Sequence, residues 1–230
     1  MLQLERYHDI LRILGERKSI SVKELCDILY ASPATVRRDL ATLEEAGMLK
    51  RSFGGAVLNE VYPDQLPISV RASDHISEKR KIASKAAAFI NPGDTVFIDA
   101  STTTFYLAPF LRSIPDLTVI TNNPHLNLAL AKCHVRNFST GGEMLNDSAA
   151  LVGSTAERYI MGIQANAVFF SARGVCGGRV TDSSKGERDI KIAMLENSKR
   201  SYFLCDESKN GKEYPYIVTR TEKLTGVIGL

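Results

Sequence analysis

The 230-residue chain lacks the features that announce a secreted, membrane-bound or metal-dependent protein. Its four cysteines, Cys26, Cys133, Cys176 and Cys205, are scattered, with no CxxC pair and no metal-ligand spacing. Reduced core thiols are expected rather than disulfides, and neither a metal nor a cofactor. No segment approaches ~18 consecutive apolar residues, and the N-terminus carries no signal-peptide pattern, so a cytoplasmic protein that engages no membrane is expected. The four histidines fall on an outer helix face (His8), in a loop (His75) and beside a helix (His125, His134), and no Ser/His/Asp set, P-loop, repeat or low-complexity tract can be read. Net charge is only +3, and acids and bases nearly cancel within residues 1–60. Any nucleic-acid face must therefore come from segregation of charge rather than excess.

What is present is the composition of an ordinary globular protein, 44% hydrophobic and 24% charged, long enough for one small domain and one of normal size. Tyr7, Ile10, Leu11 and Leu14 mark a first helix over about 3–17. Ser21 and Glu24 form a capping box for a second, whose stripe is Val22, Leu25, Cys26 and Leu29. A third helix is delimited by Ser32 as N-cap, Pro33 at its first position and Gly47 just past its end. It buries Val36, Leu40 and Leu43 and turns Ala34, Arg38 and Ala41 the other way, with Thr35 and Arg37 on the flanks. Residues 48–53 read as a strand, Gly54-Gly55 as a turn and 56–58 as a return strand. Together these make a winged helix-turn-helix. Ser32, Ala34, Thr35, Arg37 and Arg38 would face DNA, and Lys50 and Arg51 would touch phosphates from the wing. Asp39, beside the buried stripe, would orient a neighbouring arginine. A protein-interaction wing is the competing reading.

The run from Ser32 through Leu40, then Leu43-Glu44-Glu45-Ala46-Gly47 and Gly54-Gly55-Ala56-Val57, resembles the DeoR family of bacterial regulators of sugar metabolism. That resemblance implies that the third helix reads DNA. Phe53 stands where many members carry histidine.

Residues 59–72, with Pro63 and Pro67, read as a linker between domains at 1–58 and 73–230. Beyond it a helix capped by Ser77 leads to the turn Asn91-Pro92-Gly93-Asp94 and the apolar run Thr95–Ile98, which ends in Asp99. Further strands are expected at 117–121, 135–139, 167–171 and 201–205, with weaker ones at 215–219 and 226–229. Helices are expected at 102–112 (kinked or broken near Pro109), 125–132, 154–161 and 187–197. Alternation of this kind predicts a Rossmann-like, doubly wound α/β domain, with ligands outside the carboxyl ends of the strands. Five polar loops fall there: Asp99–Thr104, Thr121–Pro124, Ser139–Glu143, Phe170–Gly174 and Cys205–Lys209. Together they suit a small anion.

Glu78-Lys79-Arg80, Asp94-Thr95, Asp99-x-Ser101-Thr102-Thr103, Thr121-Asn122, Gly141-Gly142, Gly153, Thr181 and Asp206-x-Ser208-Lys209 are similar to the DeoR effector domain. That domain resembles the ribose-5-phosphate isomerase fold and senses a phosphorylated sugar. The resemblance implies that Ser101, Thr102 and Thr103 hold phosphate, that Asp99 bonds sugar hydroxyls and that Lys209 reaches the ligand, with Lys79 and Lys191 as weaker candidates. Arg173 departs from the family's acidic Gly-Ala-Asp-Gly-like segment. It could pair with Glu187 or Asp189, add a phosphate contact, or change the effector.

The expected function is a sequence-specific DNA-binding regulator of carbohydrate metabolism, a repressor rather than an activator, acting as a homodimer or homotetramer on double-stranded DNA. It is not expected to be an enzyme, because Phe170 and Arg173 stand where an isomerase needs acids. Two alternatives stay open: an isomerase-like enzyme fused to a DNA-binding segment, and a DNA-binding scaffold whose pocket binds nothing.

Overall fold

A computed structural model describes residues 3–45, 48–58, 75–146 and 148–229. The Gly47 stop signal and the linker expected at 59–72 lie outside the described residues. The chain divides into two compact units, Met1–Asp74 and His75–Leu230.

In the first unit α1 (Gln3–Arg17) is followed by β1 (Ser19–Ser21), α2 (Val22–Leu29), α3 (Pro33–Glu45), β2 (Leu49–Ser52) and β3 (Gly55–Leu58). The capping box forms as expected. Ser21 accepts from the Glu24 amide at 3.2 Å, and the Glu24 carboxylate accepts from the Ser21 amide at 3.1 Å. Ile10, Leu11, Leu14, Leu25, Leu29, Val36, Leu40 and Leu43 close into one core. The wing differs from the sequence reading in two ways. It has a third strand, because β1 pairs antiparallel with β3 in the order β1-β3-β2. The turn also sits one residue earlier, at Phe53-Gly54, and Gly55 is already in the ladder, opposite both Ser52 and Ser21. The close approach of β1 explains the glycine: a Cβ on Gly55 would lie 2.3 Å from the Ile20 carbonyl oxygen.

The second unit begins with α4 (Ile76–Ala87), β4 (Thr95–Ile98), α5 (Thr102–Phe105), α6 (Ala108–Leu111), β5 (Thr118–Thr121), α7 (Pro124–Lys132) and β6 (Arg136–Ser139). There follow the hairpin β7 (Glu143–Met144) and β8 (Leu151–Val152), then α8 (Ser154–Met161), β9 (Ala167–Phe170), β10 (Gly174–Cys176), β11 (Arg179–Asp182) and α9 (Lys185–Glu196). The chain ends with β12 (Ser201–Leu204), β13 (Tyr216–Arg220) and β14 (Gly226–Ile228). Six parallel strands run in the order β14-β12-β9-β4-β5-β6, so the winding reverses between β9 and β4. That is the doubly wound α/β class the strand–helix alternation predicts. Both faces are covered. Val96, Ile98, Val119, Phe169 and Leu204 pack with Ile82, Leu111, Leu126 and Leu130, whereas Phe97, Ile120, Val168, Phe170 and Phe203 pack with Ile160, Ile190 and Met194. Burial on two sides is why these strands read as continuous apolar runs.

The break expected near Pro109 is present: 102–112 forms two single turns separated at Tyr106-Leu107, with Pro109 in the first turn of the second. Three other local expectations need correction. Ser77 lies inside α4, whose N-cap is His75 in a left-handed conformation with no side-chain cap bond. The loop after β9 continues into β10 and β11, which the sequence reading missed and which form a small antiparallel sheet with β13, the weaker strand expected at 215–219. All four cysteines are free, but Cys133 is exposed and only Cys205 is buried. Burial pushes the Cys205 thiol up to about 11. Among the described residues no helix is long and apolar enough to cross a membrane.

Candidate functional site

In the first unit, α3 segregates its charge through one buried acid. Asp39 is fully buried, and its carboxylate takes both Arg6 Nε (2.7 Å) and a terminal Arg6 nitrogen (3.2 Å) from α1. The arginine that Asp39 orients is therefore not a sequence neighbour. Arg37 and Arg38 are left exposed, and among the described residues neither has an ion pair. Ser32 caps α3, accepting from the Thr35 amide at 3.2 Å and lying 2.9 Å from the Thr35 hydroxyl. Ala34 is exposed beside them. On the wing Lys50 is exposed. Arg51 is held by Glu44 through its side-chain Nε (2.6 Å) and its amide (2.8 Å). Those two bonds, aided to a lesser extent by the charges of Arg51 and Lys50, hold the Glu44 carboxyl below the usual range against the opposing effect of desolvation. Arg51 thus enters any phosphate contact already paired. Phe53 at the wing tip and Tyr30 between α2 and α3 are fully solvent-exposed aromatics.

In the second unit, the ends of β4 and β9 meet at the reversal of winding. Asp99 is buried, and protein donors occupy both of its oxygens. Oδ1 accepts from the Ser101 amide (3.2 Å), the Ser101 hydroxyl (2.7 Å) and the Thr104 hydroxyl (2.9 Å). Oδ2 accepts from the Ser171 amide (3.3 Å) and lies 3.6 Å from Lys191 Nζ. Burial raises the Asp99 carboxyl above its ordinary value, outweighing Lys191 and these hydrogen bonds. Lys191 also reaches Asp182 at 2.9 Å and Glu187 at 3.3 Å. Burial alone would lower its ammonium, but the charges of Asp182, Glu187 and Asp99 hold it well above the usual lysine range.

A second centre lies on Lys209, in a single 3-10 turn after β12. Its Nζ donates to Thr103 Oγ1 (2.8 Å) and Ser171 Oγ (2.6 Å) and pairs with Asp206 at 3.0 Å. Thr103 in turn donates to Asp206, and so does Ser208. Burial would raise the Asp206 carboxyl, but Lys209, the Ser208 bond and the charge of Lys79 bring it down to about 2. Lys79 itself is buried on α4.

Of the residues marked on the sequence, Asp99, Ser101, Thr103 and Lys209 are thus joined through Ser171 into one network. Thr102 stands apart, nearly buried, with no side-chain hydrogen bond among the described residues. Arg173 is half-buried, and its amide donates to the Thr181 carbonyl. Asp189, one of its suggested partners, takes Lys185 (2.8 Å) and Arg188 (2.6 Å) instead. Because α5 is a single turn, it supplies little helix dipole, and anion binding here would rest on hydroxyls and lysines.

Sequence reasoning placed Ser171 and Asp206 in anion-suited loops without an individual role, and it considered Glu187 only as a possible partner of Arg173. One signal was available. Glu187, Ile190, Lys191 and Met194 fall at i, i+3, i+4 and i+7, two charges within a buried stripe. Asn122, just after β5, adds a feature no pattern shows. Its Nδ2 donates to the Leu151 carbonyl (3.0 Å), while its buried Oδ1 has no donor. The register pairs Ile98 with Thr121, which sets Asn122 beside Asp99 at the same sheet edge. Among the described residues no cluster suits a metal ion.

Comparison with known proteins agrees with this architecture. The DeoR-like helix-turn-helix domain matches residues 6–61, and the DeoR C-terminal sensor domain matches residues 74–229. An uncharacterized HTH-type transcriptional regulator of Bacillus subtilis, YulB, is 37% identical over 95% of this chain and 86% of its own. The lactose phosphotransferase system repressor of Staphylococcus epidermidis is 35% identical over 93% and 86%. Among solved structures, eIF2B delta from Chaetomium thermophilum aligns with a TM-score of 0.51 at 16% identity, over 68% of this chain and 56% of that one, a likeness of fold alone. With its sensor family matched over more than half its length, the chain belongs to the DeoR family of helix-turn-helix transcriptional regulators.

Proposed function

We propose that the chain is a DNA-binding repressor of carbohydrate metabolism controlled by a phosphorylated sugar held at the sheet edge of its second unit. α3 enters the major groove with Ala34, Arg37 and Arg38 toward base edges, and Ser32, Thr35 and Lys50 toward phosphates. The observation that carries this reading is the neutralisation of Asp39 by Arg6 inside the fold. This pairing neutralises the one acid in the first two turns of α3, the end that would meet DNA, and leaves Arg37 and Arg38 outward without an ion pair. Arg51, tethered by Glu44, contributes less. Relatives named as lactose phosphotransferase system repressors support repression and a link to sugar. A dimer, or a dimer of dimers, presents two α3 helices about one DNA turn apart or a multiple of it. Such a regulator acts in the cytoplasm, where operator and sugar phosphates both reside.

For the effector, Thr102 offers the free hydroxyl and Lys209 and Lys79 the positive charge for a phosphoryl group. Asn122 Oδ1 supplies an acceptor for a sugar hydroxyl, with Arg173 at the rim. Asp99, Ser101 and Thr103 hold the frame. The orphan acceptor favours an occupied site over a pocket that has closed on itself. Catalysis finds no comparable support, since Asp182 and Glu187 both lie within ion-pair distance of Lys191. The ligand acts by binding one arrangement of the protein better than another. A thermal-shift screen of pentose and hexose phosphates tests the reading. A hit that also releases operator DNA, weakened by Thr102→Val, is expected. A hit unchanged by Thr102→Val and by Asn122→Ala refutes the site, and turnover of any hit, followed by NMR, refutes the regulator-only view.

A further inference from the structure

We infer a second anion site at the opposite end of the sheet, in a cleft of about 310 Å³ where β5 and β6 begin. Its floor is Ile114, Leu117 and Val135, and its rim carries Arg112, His134 and Arg136. The register sets Thr118 beside Arg136, so the two adjacent strands begin side by side at this end of the sheet.

Neither arginine has a charge partner, a state that Arg80 and Arg158 share but without a second arginine lining the same cleft. Elsewhere in the unit Arg179 pairs with Glu213, Arg188 with Asp189, Arg200 with Asp94 and Arg220 with Glu222, each within 2.8 Å. Arg112 has no hydrogen bond, ion pair or ring contact among the described residues, and Arg136 has only the Phe138 ring, 5.5 Å away. The one acid on the lining, Asp116, pairs with neither. Two unpaired guanidiniums and an imidazole around one partly apolar cleft present forked donors and net positive charge. That is the chemistry of phosphate recognition. The volume stands at the lower end of small-molecule sites. The occupant is a small phosphorylated metabolite, its phosphoryl group toward Arg112 and Arg136 and its organic part on the apolar floor. This site is independent of the one proposed at the carboxyl edge, since the two lie at opposite ends of β5.

The test is an NMR titration of the full-length ¹⁵N-labelled protein with pyrophosphate at physiological salt. Saturable shifts are expected at the amides of Asp116, Leu117 and 134–136 and at the side-chain Nε of Arg112 and Arg136. Arg112→Gln/Arg136→Gln should weaken them at least about tenfold and leave shifts at 101–104 and Lys209 in place. Arg112→Lys/Arg136→Lys, which keeps the charge but loses the fork, should bind with intermediate affinity and also controls for folding. Shifts that do not saturate, that survive both arginine substitutions, or that spread evenly over exposed basic residues mean an adventitious ion only and overturn the site. Loss of response at 101–104 alone would instead count against the carboxyl-edge site and leave this one standing.

Discussion

Replacing Lys191 by Met isolates the electrostatics of the carboxyl edge. In the native fold one ammonium, only 4% exposed, lies within 2.9–3.6 Å of Asp182, Glu187 and Asp99. Removing one partner of a buried ion pair typically costs about 3–5 kcal/mol, because the other charge stays behind without compensation. Three carboxylates stay behind here, but they can relieve the repulsion by binding protons. In Lys191→Met the Asp99 carboxyl, already raised by burial, loses that opposing charge and rises further above its unfolded value. The folded variant then holds more protons than the unfolded chain, so its stability falls as pH rises through that interval. The slope is about 1.4 kcal/mol per pH unit for each retained proton. Asp99 already lies on that side in the native protein, because its burial outweighs Lys191. Lys191 itself adds no slope at neutral pH. Its folded pKa is raised, so its contribution is complete below the ordinary lysine value and is lost only in strong alkali. The loss should therefore be about 3–5 kcal/mol near pH 7–8 and smaller near pH 5. Hydrogen exchange by mass spectrometry on peptides covering β4 and β9 reads this unit alone. After correction for intrinsic rates, exchange at pH 7 should quicken by about two to four orders of magnitude. Adding Asp182→Asn and Glu187→Gln should recover part of the loss. A penalty that does not vary with pH, or is unrelieved by neutralising the acids, would mean that lost packing and not charge is responsible.

Other outcomes are as specific. Arg37→Ala and Arg38→Ala should each weaken operator binding by about 1–3 kcal/mol for each base interaction removed, read by fluorescence anisotropy. Glu44→Gln should strengthen binding and steepen its salt dependence, because it frees Arg51; an unchanged salt slope would mean that Arg51 does not reach phosphate. Gly55→Ala should disorder the wing by driving a methyl group into the Ile20 carbonyl, visible as lost amide protection in β1 and β3. Asp206→Asn should remove a pH dependence of sign opposite to that of the Lys191 variant. A carboxyl held near 2 stabilises the fold above its ordinary range, and that support is lost as pH falls toward 2. Acid unfolding curves of the two proteins should therefore converge at low pH.

Local chemistry made much of the fold readable. The Ser21–Glu24 box, Pro33 after Ser32 and the stripe of Val36, Leu40 and Leu43 act within one or two helical turns, so their outcome is written in spacing. The apolar runs at 95–98 and 167–170 identify strands covered on both faces, and their alternation with helices leaves few arrangements other than a doubly wound sheet. Errors gathered where short elements depend on distant partners. β1 is three residues long and exists because β3 lies beside it. β10 and β11 need β13, more than thirty residues later. His75, rather than Ser77, begins α4 because the backbone turns left-handed there.

The sequence by itself settled where the longer helices and the buried parallel strands fall, which face of each is buried, and that a helix with two outward arginines precedes a wing. Those outcomes follow from periodicity and end-capping, which act between near neighbours. The tertiary structure decided which charges are free. Asp39 is neutralised by a residue 33 positions away, Lys209 is bound by Thr103 from 106 positions away, and Lys191 gathers acids from β11, α9 and the end of β4. In water each of these groups would be solvated and equivalent to any other of its kind. Burial removes that solvation, and the partner that replaces it is fixed by the packing of the whole domain.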